Sequence, residues 1–355
     1  MAARHPIRRR LHWLSLVSAF TAVTLYARNR EAAAQAPPAR SPSAPPRSIP
    51  LEDADLAVGW AVRRECAYPL SVIFIIYSNA RHWRRRAALR DSLFGEDGKR
   101  FFNWTALFLV DRTPDDPPAE AAWAHIEADA LGDAVLLRRS KQASGSSKLL
   151  LAMRWVRQHC TRTLYVIKMD DDTLVEPFAL MQHLVENVEP TGRLLHCTLR
   201  PRTSRRPGWA WSHELVVSNR SLAKLPRRRQ HCLGRVIIMN VPIVRDLLRA
   251  SSLLPTSRWS EGEDFVTGDL ALVAGLGHVD LSSRVSWRRS EAHSFLDGWL
   301  VFFRFRDTSD LSTLIRAVWD LAVWNEALND ENVRKALTHR SEAAPYDPEV
   351  EKPSQ

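Results

Sequence analysis

The chain has 355 residues, 45% apolar and 25% charged, with 50 Lys+Arg against 40 Asp+Glu, a net +10 before histidine. That composition excludes wholesale disorder, and four cysteines in so long a chain exclude a disulfide-built miniprotein. The basic excess is mostly arginine spread along the chain, without a zinc-finger or RNP pattern, so no nucleic-acid partner is expected.

The N-terminus carries Arg4, Arg8, Arg9 and Arg10, and residues 11–27 then run without a formal charge. As a helix those residues reach about 26 Å, close to the hydrocarbon core of a bilayer. Trp13 and Tyr26 suit the two interfaces, and the stronger basic flank ahead of the run keeps the N-terminus cytoplasmic. A cleaved signal peptide is the competing reading, but no small-residue cleavage site follows Tyr26, which favours an uncleaved signal anchor. The next stretch is rich in Ala, Pro and Ser and reads as an extended tether. The expected layout is a cytoplasmic tip (1–10), a transmembrane signal anchor (11–27), a stem (28–60), a large folded region (61–338) and a polar tail (339–355). The folded region would face the secretory lumen. Two sequons, at Asn103 and Asn219, are compatible with that compartment, and Cys66, Cys160, Cys197 and Cys232 would be free to pair in any of three ways.

Within the folded region apolar runs alternate with amphipathic stretches. Strands are predicted at 70–77, 106–110, 134–137 and 164–169, with helices at 84–94, 119–131, 147–160 and 177–188 between and after them. Pro177 suits the first turn of the last of these. This rhythm predicts an α/β fold, a mostly parallel sheet covered by helices, with ligands beyond the carboxyl ends of the strands. After residue 190 the pattern is less regular. A strand at 235–239, helices at 241–251 and 264–277, a strand within 299–305 and a helix over 311–328 are predicted there. No G-x-G-x-x-G or P-loop motif is present.

Two acidic constellations carry the chemistry. Asp170-Asp171-Asp172 directly follows the strand LYVIKM. Three adjacent carboxylates repel one another unless a cation sits among them, and alternate aspartates can offer hard oxygens to a divalent ion. The plainer alternative is an acidic turn ahead of the Pro177 helix. Glu263-Asp264 is the second pair. It is either a surface pair at a helix start or, in a cleft, the source of a general base.

Five segments together resemble glycosyltransferase family 31, the β-1,3-galactosyltransferase group. Residues 85–92 (RRAALRDS) are similar to its RRxAIRxT segment, and Lys148 to Trp155, ahead of Cys160, to its LK…W…C helix. YVIKMDDDTLVEP (165–177) resembles its DxD segment, Pro201-Arg202 with Trp209 or Trp211 its PxR…KW stretch, and EDFVTG (263–268) its EDVYVG motif. Three positions depart from the pattern. Leu93 stands where the family often has tryptophan, residues 137–147 replace an aromatic-rich stretch, and Cys232-Leu233-Gly234-Arg235-Val236 replaces a Gly-rich segment.

The resemblance implies a GT-A-like nucleotide-sugar transferase fold, anchored in the Golgi membrane as a single-pass type II protein. It implies inverting β-1,3 transfer from a UDP-sugar, most plausibly UDP-galactose, to a hydroxyl of a glycan on a glycoprotein, glycolipid or proteoglycan. Asp170 and Asp172 would hold Mn²⁺ together with His293, with His278 as the next choice. Asp171 would contact ribose or metal, and Asp264 would be the general base. Arg86, Arg90, Lys148 and Glu263 would contact the substrates. The departures motivate a second reading, an inactive lumenal relative that binds glycans or serves as a chaperone.

Overall fold

The computed structural model describes residues 60–112, 116–138, 145–201, 216–217, 220–221, 230–253, 263–288, 291–296, 298–304 and 311–329. The expected anchor, the stem up to residue 59 and the tail lie outside these residues, as do Arg202, Trp209, Trp211 and Asn219. No helix among the described residues is long and apolar enough to cross a membrane.

The predicted alternation of strands and helices is present. In chain order the first half comprises α1 (Trp60–Cys66), β1 (Leu70–Asn79), α2 (Trp83–Asp91), α3 (Glu96–Phe101), β2 (Trp104–Arg112), α4 (Pro118–Leu131), β3 (Ala134–Arg138) and α5 (Gly145–His159). It continues with β4 (Thr163–Asp170), β5 (Thr173–Val175), α6 (Pro177–Asn187), β6 (Leu194–Pro201), β7 (Val216–Val217), β8 (Arg220–Ser221), β9 (Gln230–Asn240) and α7 (Val241–Ser252). A π-helical segment (Phe265–Leu270) running into a short α-turn (Ala271–Val273), β10 (Gly277–Asp280), β11 (Val285–Ser286), α8 (Ala292–Leu296), β12 (Phe302–Arg304) and α9 (Leu311–Asn329) complete it. Helix ends follow local chemistry. Asn240 caps α7 by accepting from the amide of Ile243 at 2.9 Å, and Gly132, at φ 65°, closes α4 in a conformation that side chains disfavour.

The main sheet has seven strands in the order β10-β6-β9-β4-β1-β2-β3. Neighbours pair in parallel except around β9, which runs antiparallel to both β4 and β6. The expected mostly parallel α/β sheet is therefore present, with one reversed strand that periodicity alone did not orient. A smaller sheet, β11-β12-β5, flanks it.

Both faces of the sheet are covered, which explains why its central strands read as continuous apolar runs. Along β1, Val72, Phe74 and Ile76 enter one core with Phe108, Trp104 and Leu180, while Ile73 and Ile75 enter the other with Leu107, Met153, Trp155 and Leu247. Fully burying one such side chain contributes about 1.5–3 kcal/mol. Two disulfides resolve the open question of pairing. Cys66–Cys160 ties the end of α1 to the segment after α5, and Cys197–Cys232 joins β6 to β9.

The strand order also places the site. From β1 the chain steps outward to β2 and β3, then returns to lay β4 on the other side of β1. That reversal opens a crevice beyond the carboxyl ends of β1 and β4, where ligands bind in open α/β sheets. Tyr77 and Asp170 are register partners across it.

Candidate functional site

The three aspartates fan out from the end of β4 in different directions. Asp170 Oδ1 accepts from Lys168 Nζ at 2.9 Å, and its Oδ2 lies 3.8 Å from Arg304 Nη2. Asp172 is gripped by Arg304, whose Nε stands 3.0 Å from both carboxylate oxygens. Asp171 turns inward and is buried. It accepts from the Ser78 hydroxyl at 2.7 Å and from Arg85 Nη1 at 3.2 Å, and lies 2.8 Å from His82 Nδ1. Burial opposes its charge, but contacts with His82, Ser78 and Arg85 outweigh that and hold the carboxyl below its ordinary value. Asp171 thus locks the β4–β5 turn onto the end of β1.

Asp172 behaves in the opposite way. Burial raises its carboxyl above the usual range, and repulsion from Asp170 and Asp171 adds to that against the pull of Arg304. The neighbouring aspartates of one turn therefore differ in charge preference because only one of them is fully solvated by protein donors.

Glu263 of the second acidic pair reaches the same crevice from the far side. Glu263 Oε1 lies 3.2 Å from Lys168 Nζ, so a single ammonium joins it to Asp170 across ninety-three residues of sequence. Lys168 is 2% exposed. Burial opposes its charge, yet Asp170 and Glu263 hold it protonated above the ordinary lysine value. Burial, reinforced by Asp170, raises the Glu263 carboxyl above its usual value even with Lys168 alongside. Asp264 follows at the mouth of the π-helical segment, half-buried. Such π-turns occur often at functional sites.

Two glycines make this approach possible. A Cβ on Gly234 would overlap the Glu263 carboxylate, and the Gly234 carbonyl accepts from Lys168. A Cβ on Gly268 would lie 3.2 Å from the Cβ of His231 on β9, a contact tighter than ordinary packing. The departure at residues 232–236 therefore keeps the glycine that the site needs. It adds Arg235, which follows Gly234 on β9 next to the register pair Val236–Met169 and stacks 4.3 Å over the ring of Trp287.

Tyr77 forms the floor. Its ring carries Lys168 at 4.2 Å and Lys148 at 5.1 Å, and Lys148 is paired with Asp111 at the end of β2. Burial, then repulsion from Glu263, Asp170 and Asp111, pushes the phenol well above its ordinary value. The hydroxyl is buried without a partner at hydrogen-bond geometry among the described residues. Lys148 is thus at the crevice edge.

Arg86 and Arg90 are not at that edge. Arg86 is 0% exposed and gives its five donors to Glu127, Ser78 and the carbonyls of Asn79 and Ala80. Arg90 forks onto Asp133 at 2.7 and 2.8 Å and also reaches Glu127. Both brace the start of the crevice through an internal ion cluster. Their partners lie on and after α4, about forty residues away, which is why the motif alone did not reveal them.

Neither candidate histidine joins the aspartates. His293 is exposed on α8 with Ser294 as its neighbour at 3.3 Å, and His278 Nε2 is 2.7 Å from the carbonyl of Thr267. Among the described residues no three His, Cys, Asp or Glu side chains gather as a metal cluster. Asp170 and Asp172 nevertheless suit a divalent cation chemically, because both direct hard oxygens toward one positive group, the Arg304 guanidinium. Sequence reading missed Arg304. Its signal was a lone charge at the end of the apolar run WLVFFRF.

The profile described as Galactosyltransferase matches residues 84–282, more than half of the chain and the stretch that contains both acidic pairs. Human N-acetyllactosaminide beta-1,3-N-acetylglucosaminyltransferase 2 is 28% identical over 123 residues, which is 34% of this chain and 31% of that protein's length. Among solved structures, the galactosyltransferase LgtC in complex with donor and acceptor sugar analogues aligns over 70% of this chain and 95% of its own. That alignment has 10% identity and a TM-score of 0.35. Mouse xyloside xylosyltransferase 1 aligns over 66% and 97%, with 11% identity and a TM-score of 0.33. The chain belongs to the galactosyltransferase family of glycosyltransferases, the group its five motifs resemble.

Proposed function

We propose that this glycosyltransferase carries out inverting β-1,3 transfer of galactose from UDP-galactose to a glycan hydroxyl, on a GT-A-like fold tethered in the Golgi membrane. One observation supports this above the others. Asp170 and Glu263, far apart in sequence, are drawn to one crevice at the switch point of the sheet with Lys168 between them, and Asp264 follows Glu263 at the start of the π-helical segment.

Single displacement needs a stabilised leaving group on one face of the sugar and a base on the other. Asp170 and Asp172 would hold the divalent cation, Mn²⁺, on the leaving-group side. When bound, that ion supplies positive charge to the diphosphate oxygens. Asp264 takes the proton from the acceptor hydroxyl as its oxygen bonds to the anomeric carbon and the bond to the diphosphate breaks. Glu263, held by Lys168, fixes the start of the π-helical segment and so the direction of Asp264. Lys148, beside Tyr77, faces the region that the nucleotide would enter. Asp171, Arg86 and Arg90 act at one remove, by holding the turn and the crevice wall in place.

The test is Asp264→Asn. Turnover should fall by about 10²–10⁴-fold with UDP affinity unchanged. A wild-type rate in that variant would remove the base assignment. Release of UDP from a panel of UDP-sugars would identify the donor. Should no UDP-sugar be turned over and no UDP-dependent thermal shift occur, the non-catalytic glycan-binding reading would replace this one.

A further inference from the structure

Arg304 occupies the position between the two aspartates that the proposed function assigns to a cation, and nothing in the sequence motifs anticipates it. Its place is set by the fold. β12 pairs antiparallel with β5, Phe302 opposite Val175, Phe303 opposite Leu174 and Arg304 opposite Thr173, the residue after Asp172. Phe302 and Phe303 are anchored in the core at 0% and 4% exposure, so Arg304 projects from a fixed strand and not from a free loop. Its Nε is equidistant, at 3.0 Å, from the two oxygens of Asp172, and its Nη2 faces Asp170 Oδ2.

We propose that Arg304 is the built-in counter-cation of the Asp170–Asp172 pair and competes with the divalent ion for it. This rests on the metal reading given above. With Arg304 in place both carboxylates can ionise side by side without the metal, so the site keeps its shape between catalytic cycles. Asp170 and Glu263 share Lys168, Arg304 forks onto Asp172, and Arg235 lies within electrostatic reach of both aspartates. A divalent cation must displace the guanidinium from Asp172 to reach the hard oxygens. The strength of the Arg304–Asp172 fork therefore sets metal affinity.

The experiment titrates Mn²⁺ into wild type, Arg304→Gln and Arg304→Lys, reading free Mn²⁺ by its electron paramagnetic resonance signal, with melting temperature measured alongside. Arg304→Gln should bind Mn²⁺ about tenfold more tightly than wild type, because one charge-assisted fork no longer competes. It should melt lower than wild type without metal and gain more on adding Mn²⁺. Arg304→Lys keeps the charge without the planar fork, so its affinity should fall between the two, and it serves if the glutamine variant folds poorly. Mn²⁺ binding that Arg304→Gln leaves unchanged or weakens would overturn the competition and spare the metal reading. Binding by neither wild type nor variant overturns both. UDP binding without metal in wild type that is lost in Arg304→Gln would also overturn the competition, by showing that the guanidinium itself holds the diphosphate.

Discussion

Arg86 and Lys168 are both cations with almost no exposed surface, Arg86 packed from α2 against the end of β1 and Lys168 near the end of β4. Around Arg86 every donor meets an acceptor, and Glu127 is held below its ordinary pKa because the hydrogen bonds and charges of Arg86 and Arg90 outweigh its burial. Around Lys168 one ammonium is shared by two carboxylates, Asp170 and Glu263. Glu263 and Asp172 are both pushed up by burial and by carboxylate neighbours. The first cluster is electrically finished, while the second is held in a state that an incoming cation or proton would relieve. Perturbed groups of the second kind gather at functional sites, whereas closed ion clusters are braces.

The contrast breaks most readily at Arg86. Arg86→Ala leaves Glu127 buried with only Arg90, and should cost about 3–5 kcal/mol in urea unfolding. Replacing both partners, Arg86→Met with Glu127→Leu, should recover much of that loss, since no charge is then stranded. A loss under about 1 kcal/mol for Arg86→Ala would show that the cluster is not a brace. Lys168→Met tests the other side. It removes an equally buried cation, but Glu263 is already inclined to take a proton and Asp170 retains Arg304. The expected loss is about 1–3 kcal/mol, together with a fall in turnover as the support of Glu263 goes. Equal losses at the two sites would erase the distinction.

Much of the scaffold was legible because apolar, β-branched runs such as LSVIFIIY can only be buried strands, and their alternation with amphipathic stretches dictates a parallel sheet. β6 was not legible. His196 and Thr198 interrupt its apolar pattern, yet both are buried, and His196 packs against His183 of α6 at 5.6 Å between ring centroids. A polar residue reads as surface until a tertiary neighbour covers it. β5 and β11 are too short for periodicity to register, whereas β12 falls inside the strand predicted at 299–305. At the site the acidic pairs were visible as residue types placed after a strand and at a helix start. The division of labour within Asp170–Asp172 was not, because it depends on Ser78 and His82 on one side and Arg304 on the other, both remote in sequence. Arg86 shows the same limit, since a cation on a predicted helix reads as solvated unless its partner is known.

Glu263 gives the smallest effect, and its sign separates the two clusters. A carboxyl whose folded pKa is raised leaves the folded state holding the extra proton between the ordinary value, about 4.3, and the raised one. Folding stability contributed by Glu263 therefore increases as pH falls through that window, because protonation relieves the burial of its charge and then its repulsion with Asp170. Glu127, whose pKa is lowered, does the reverse. Its contribution is complete above about 4.3 and is lost as pH falls through the depressed value. Urea midpoints of wild type, Glu263→Gln and Glu127→Gln from neutral pH down to about pH 3 would read both. Relative to wild type, Glu263→Gln should lose its relative advantage on acidification, and Glu127→Gln should lose its relative disadvantage. Parallel curves for the two variants would mean that Glu263 is as well satisfied in the crevice as Glu127 is in the brace.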